Sequence, residues 1–497
     1  AGGGGRPRGA GEAGGGGTPP AAAGPPRPAL LLAATILGSA IVFIDSTVVN
    51  VALPALARDL DASLAEQQWV VEAYLLTLGS LVLVGGSLGD LLGRRRVFVW
   101  GVIGFGLTSV LCAAAPSAGA LIAFRALQGV AGALLVPSSL AIITAAFRGD
   151  AERGAAIGSW TAWTSAAIAL GPALGGLLVD AVSWRLVFAI NVPVAIAALA
   201  LAARGVPAFP GRPGTRVDVA GGVLCALGLG GPVFALIEAP ARGWGDPLIL
   251  ASLIGGLVLL GVFVLWEARW ARAPMLPLGL FRSRNFAVGN VATFGIYAGL
   301  GAATFFVALF LQEVAGYTAL AGGLALLPIT LMILALSRRF GALAGRLGPR
   351  LFMGAGPLVC SAGLLLWLLV DERGTYVTQV LPGSVVFGLG LAMTVAPLTA
   401  TVLGAAPRER AGIASGVNNA IARVASLLAI AIVGAVVTAV LLDRGGEGAA
   451  RLGEGGAAAS VAAFHAGLVC AAVLVALGGI VSLAGIENQR ADAQATT

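Results

Sequence analysis

The chain has 497 residues, of which 58% are hydrophobic and only 11% charged, a balance that gives a water-soluble fold more apolar surface than its interior can hide. Its formal net charge is +7 and all 30 basic residues are arginine, which excludes P-loop, Schiff-base and pyridoxal chemistry, because each needs a lysine. The arginines are scattered between apolar stretches rather than gathered on one face, so they read as membrane topology signals and no nucleic-acid partner is expected.

Residues 1–28 are mostly Gly, Pro and Ala, a composition that buries nothing and predicts a disordered tail. The apolar stretch that follows, residues 29–54, is longer than the hydrophobic part of a signal peptide and long enough to cross a bilayer. The same requirement of about 20 residues places further spans near 67–91, 97–115, 119–147, 153–180, 184–203, 218–238, 247–266, 284–312, 318–337, 351–370, 375–402, 411–440 and 462–486. The expected fold is therefore an all-α integral membrane protein of about fourteen transmembrane helices. With the N-terminus inside, 22 of the 30 arginines fall on the inner side and 6 on the outer side, and Arg125 and Arg423 fall within spans. That bias predicts cytoplasmic termini.

The chain also repeats itself. Residues 137–159 and 397–416 both run from a proline inside an apolar helix, through a charged inner loop, into a small-residue helix, and residues 86–96 have a counterpart at 341–350. Parallel repeats of six helices, with a site near the midplane between them, predict two pseudo-symmetric bundles. The expected divisions are a tail at 1–28, a first bundle at 29–203, a linker with an inserted helix pair at 204–283, a second bundle at 284–486 and a tail at 487–497.

Asp45, Glu72 and Arg125 are among the ionisable residues within spans, where insertion costs roughly 2.5 kcal/mol or more and marks a candidate for function. Asp45 lies roughly 13 Å from the outer end of its helix, Arg125 roughly 10 Å and Glu72 roughly 8 Å, so the first two share a depth. Asp45 is the expected proton-binding carboxylate, with Arg125 as its partner and Glu72 as a second proton carrier or an attractant for cations. A static ion pair that only fixes helix packing is the competing reading. Arg125, Gln128, Gly129 and Gly132 share one helix face, which is expected to line the cavity. Asn50 and Arg423 are further substrate candidates, Arg423 with a structural role as its alternative. The inner loop with Gly86, Asp90, Gly93, Arg94 and Arg95 has the glycines for a tight turn and an aspartate able to latch onto an arginine or a neighbouring helix end. Gly171 and Gly175 form a small-residue helix contact, and Pro172 bends the span. His465 is the sole histidine and the four cysteines have no paired spacing, so no metal site or cofactor is expected.

These motifs resemble the major facilitator superfamily, specifically its fourteen-span drug:proton antiporter family. The likeness rests on Gly86 through Asp90 and Gly93 to the arginines, departing at Leu91, and on Arg125, Gln128, Gly129 and Gly132. It extends to Gly158, Gly171, Pro172, Gly175 and Gly176, with Ala167 where glycine is usual, and to the stretches 44–54, 183–185 and 191–193. In the later half Gly345 stands where an aspartate would complete a latch. The resemblance implies a monomeric, proton-coupled exporter of lipophilic compounds, cations among them, in a bacterial cytoplasmic membrane. An exporter dedicated to one endogenous metabolite, such as an antibiotic or siderophore, is the nearest alternative, and a transport-inactive sensor or scaffold is the rival of another class. An enzyme is the least supported reading, since no catalytic cluster is legible.

Overall fold

The computed structural model describes residues 1–3, 27–147, 149–211, 214, 216–272, 274–406, 411–446, 452–453 and 456–488. Most of the first expected tail (4–26), the end of the second (489–497), and Arg148, Arg212, Arg408, Arg410, Arg451 and Arg490 lie outside the described residues. The described residues contain 14 helices apolar and long enough to cross a membrane. They are α1 (Pro28–Leu60), α2 (Leu64–Leu92), α3 (Arg94–Ala113), α4 (Ala118–Ala146), α5 (Glu152–Ala181), α6 (Leu186–Gly205), α7 (Val219–Arg242) and α8 (Pro247–Arg269). The remainder are α9 (Arg284–Glu313), α10 (Ala319–Leu347), α11 (Pro349–Leu369), α12 (Tyr376–Gly404), α13 (Ile413–Gly445) and α14 (Ala457–Gly485).

Local chemistry sets the turns between them. Asp61 ends α1 in the left-handed region (φ 53), and α2 then opens with a capping box in which Ser63 and Glu66 satisfy each other's backbone N–H groups. Gly93 joins α2 to α3 with φ +100, and Gly348 joins α10 to α11 with φ +88, conformations that disfavour a residue with a Cβ. Two expected span ends fall furthest short of the helices found. α1 continues beyond Pro54 to Leu60, because a proline inside a membrane helix frees one carbonyl without stopping the turn. α10 runs to Leu347, so Arg338 and Arg339, expected in a loop, sit on a helix that outlasts its apolar stretch.

The helices pair in a pattern that occurs twice. In the first half α2 packs on α4, α3 on α4, α1 on α5 and α6, and α3 on α6. In the second half α10 packs on α12, α11 on α12, α9 on α13 and α14, and α11 on α14, which is the same set shifted by eight helices. The halves meet where α2 touches α13, α5 touches α10 and α1 touches α9. Helices α7 and α8 pack on each other, and α7 covers the seam between α2 and α13.

Contacts across the α5/α10 seam are concentrated on the face opposite the start of α1. A side chain at Gly176 would collide with the backbone of Leu320, and one at Gly323 with the backbone of Pro172. Asp180 accepts the N–H groups of Ala319 and Leu320 at 3.1 and 2.8 Å, which caps the first turn of α10 from the other half. Arg58 and Glu313 pair on the same face at 3.3 Å. Beyond its first two turns α10 scarcely touches α5, and Gly154, Gly158 and Gly345 have no neighbour within reach of a Cβ. The α5/α10 seam is closed on the opposite face and parts toward the N-terminal face, while α2 and α13 remain in contact as far as Leu83 and Gly416.

Candidate substrate and proton site

The structure brings Asp45 and Arg125 together inside the first half. They are 0% and 1% exposed, and Arg125 Nη1 donates to Asp45 Oδ2 at 2.5 Å. Asp45 Oδ1 accepts from Gln128 Nε2 and from Asn191 Nδ2, each at 3.2 Å, so three side chains from α4 and α6 satisfy one carboxylate on α1. Arg125 also donates through Nε to the carbonyl of Val70 on α2 at 3.0 Å and through Nη1 to Gln128 Oε1 at 2.7 Å. Ser109 on α3 accepts from both Gln128 (2.9 Å) and Asn191 (3.2 Å). The Arg125 guanidinium lies over the ring of Tyr74, 4.1 Å from its centroid, and the Tyr74 hydroxyl donates to the Val42 carbonyl at 3.1 Å.

This arrangement corrects one expectation. Gln128 does not stand on a cavity wall; it is fully buried as a crosslink between the two charges and Ser109. Five helices of one half enclose the pair, because the spacing that puts Arg125 and Gln128 on one face aims that face into the bundle. Ser109 and Tyr74 escape a reading of the sequence, since a serine and a tyrosine in apolar helices carry no spacing that singles them out. Asn191 is visible only as part of the family-like stretch 191–193.

Glu72 is not part of this cluster. It is fully buried on α2, and neither carboxylate oxygen has a hydrogen-bond partner among the described residues. Its face of α2 looks toward α13, since Gln68, one turn away, abuts Gly434, and Gly79, two turns on, abuts Arg423. Asn50 is buried as well, with its side-chain carbonyl unpartnered. Arg423 lies at the junction of the halves, half-buried, with its guanidinium 5.5 Å from the centroid of the Phe43 ring. No carboxylate pairs with it among the described residues.

The loop aspartate finds an arginine. Asp90 accepts from Arg94 through Oδ1 at 2.9 and 3.1 Å, and Arg94 also donates to the Ala141 carbonyl on α4 at 2.9 Å. Arg95 reaches the Ala203 carbonyl at 3.5 Å. Gly86 faces Pro137, and Gly93 packs its Cα against the carbonyl of Phe209 in the linker. On α5, Gly171 and Gly175 press on Thr47 and Val48 of α1, whereas Gly176 presses on α10. Pro172 cannot donate to the Ile168 carbonyl, and the Thr47 hydroxyl of α1 approaches that oxygen at 3.4 Å instead. Gly158 touches nothing.

Two halves of six helices that repeat one pairing pattern, apolar outside and with a buried ion pair in the first, define a polytopic membrane protein. Comparison with known proteins specifies which. Residues 35–430 match the family model described as Major Facilitator Superfamily, and the chain belongs to that family. It is 35% identical over 442 residues to the methylenomycin A resistance protein of Bacillus subtilis, covering 88% of this chain and 93% of that one. It is 38% identical to the puromycin resistance protein pur8 of Streptomyces alboniger, covering 84% of each. It is 36% identical to the tetracenomycin C resistance and export protein of Streptomyces glaucescens, covering 83% of this chain and 76% of that one. Among solved structures, the fold is shared with the peptide transporter POT in complex with sulfate, at TM-score 0.63 and 17% identity over 93% of this chain and 94% of that one. It is also shared with a bacterial homolog of the human lysosomal transporter Spinster in an inward-facing, unoccupied conformation, at TM-score 0.61 and 19% identity over 92% and 96%.

Proposed function

We propose that this protein exports small lipophilic compounds across a bacterial cytoplasmic membrane in exchange for protons, with both termini cytoplasmic. The state described is then the inward-open one, ready to load. The observation that carries the reading is the buried Asp45–Arg125 pair, completed by Gln128 and Asn191. A proton on Asp45 cancels the charge that Arg125 needs, while Arg125 keeps Val70, Gln128 and the face of Tyr74. Losing one partner of a buried pair is worth about 3–5 kcal/mol, and inverting a two-state equilibrium from 1:99 to 99:1 takes about 5.5 kcal/mol. One protonation is therefore of the right size to bias the rocking of the halves.

Proton influx supplies the driving force, because each charge crossing 100 mV gains about 2.3 kcal/mol. Glu72, enclosed without a partner, is suited to hold a second proton in this state. Asp90 and Arg94 latch the inner loop, and Gly176 with Gly323 seals the outer face while the compound loads. In everted vesicles carrying a preset pH gradient, adding a transported compound dissipates the gradient in wild type and not in Asp45→Asn. A gradient that behaves identically in both rejects the reading.

Export of one endogenous metabolite is the second reading, and relatives named for single antibiotics (methylenomycin A, puromycin, tetracenomycin C) favour it. Efflux and growth protection across a compound panel in a pump-deficient host separate the two: a single protected class supports dedication.

A further inference from the structure

Arg423 is left over by the proton mechanism. It is a guanidinium in the middle of a membrane helix, and no acceptor among the described residues takes any of its N–H groups. Such a group is expensive to hold in a bilayer, and the fold nevertheless makes room for it: the Arg423 Cβ lies 3.3 Å from where a side chain on Gly79 would begin. What surrounds it is aromatic. Phe43 on α1 offers its ring face at 5.5 Å, and the Phe43 ring meets Trp160 of α5 edge-on at 6.3 Å. Tyr297 on α9 is held beside α13, where the Ser426 hydroxyl, three residues from Arg423, donates to its backbone carbonyl at 3.0 Å, and its own hydroxyl has no hydrogen-bond partner among the described residues. All four residues are only half-buried although they stand on sides of α1, α5, α9 and α13 that face one another across the two halves.

We infer that Arg423, with Phe43, Trp160 and Tyr297, forms the substrate-binding wall and that it selects planar aromatic compounds bearing an anionic oxygen, a phenolate or a carboxylate. The inference rests on the exporter reading above and names its substrate class. An unpaired guanidinium repels a cationic compound and offers a planar fork of donors to a charged oxygen, while the rings take the flat face of the same molecule. Glu72 does not offset this preference, since it is sealed between helices with no opening to the wall. An anion leaving and a proton arriving also move charge in the same electrical direction, so an interior-negative potential assists both.

Binding of fluorescein, a planar aromatic anion, and of ethidium, a planar aromatic cation, to the purified full-length protein in lipid nanodiscs tests this by equilibrium dialysis. Wild type binds fluorescein in preference to ethidium, and Arg423→Gln weakens fluorescein about tenfold, the size of one lost charge-assisted hydrogen bond. Arg423→Lys, which keeps the charge and loses the planar fork, weakens it by less than Arg423→Gln does, and Tyr297→Phe, which removes one hydroxyl and keeps the ring, weakens it about threefold. Ethidium bound as tightly as fluorescein, or fluorescein binding indifferent to both Arg423→Gln and Tyr297→Phe, overturns the inference. The vesicle assay keeps the two readings apart. Fluorescein binding that depends on Arg423 without any proton movement upholds the wall and sinks the exchange, whereas ethidium-driven proton exchange unaffected by Arg423→Gln does the reverse.

Discussion

The two halves pair their helices in one pattern and bury different chemistry. In the first, Arg125 precedes Pro137 on α4 and meets Asp45, Gln128 and Asn191. In the second, the position with the same spacing before Pro397 on α12 is Val385, and Trp367 and Phe387 fill the neighbouring interior with ring centroids 5.8 Å apart. The polar contacts there are neutral: Asn418 donates to Asn290 and Thr293, and Ser426 to the Tyr297 carbonyl. Among the described residues, a six-helix half of this type thus closes without an internal ion pair. A buried pair is weak evidence for stability, so its presence in one half only accords with the coupling role proposed for it.

The largest effect expected from breaking this contrast comes from Asp45→Ala. It leaves Arg125 buried and unpaired, and destabilises the protein by about 3–5 kcal/mol. A double variant, Asp45→Leu with Arg125→Leu, recovers most of that stability in thermal unfolding while proton exchange stays absent. A double variant that exchanges protons would show that the pair is only structural. Next in size is Val385→Arg, which places a charge where no carboxylate among the described residues is paired with the second half's interior, and costs roughly 2.5–3.5 kcal/mol on insertion scales. Unchanged unfolding of that variant would mean the second half hides an acceptor, and the contrast would fail.

Gly323→Val tests the seam instead of the interiors. The added side chain meets the backbone of Pro172, and overpacking of about 1–3 kcal/mol favours parting of α5 from α10. A cysteine at position 320 should then react faster with a membrane-impermeant thiol reagent applied to the opposite face; an unchanged rate contradicts the seal. The smallest effect belongs to Asp90→Asn, which removes a partly exposed i,i+4 pair worth about 0.2–0.5 kcal/mol. Its unfolding temperature should barely move, and its exchange rate should fall by more than stability explains. The second half has Gly345 at the matching place, and Gly345→Asp is expected to change neither.

Much of this was legible before any coordinates. All fourteen helices were readable as apolar stretches, and the repeat was visible in Pro137 and Pro397, which lie inside matching helices, and in the stretches 86–96 and 341–350, whose Gly93 and Gly348 occupy matching turns. Asp45 and Arg125 stood out as charges at one depth. What could not be read was direction around the helix. Gln128 shares a face with Arg125, and only the packing of five helices decides that this face points into the bundle; Ser109 and Tyr74 enter the site for the same reason.

Composition by itself determined the solvent, the number of crossings and the list of charges that must find partners, because lipid enforces those constraints locally, segment by segment. Tertiary structure alone decided which charge met which. Asp45 received Arg125, Glu72 was enclosed with no hydrogen-bond partner among the described residues and Arg423 was left beside the Phe43 ring, since partnership depends on the rotation and tilt of helices distant in sequence. No single segment encodes that geometry, as it emerges only when the neighbours are packed.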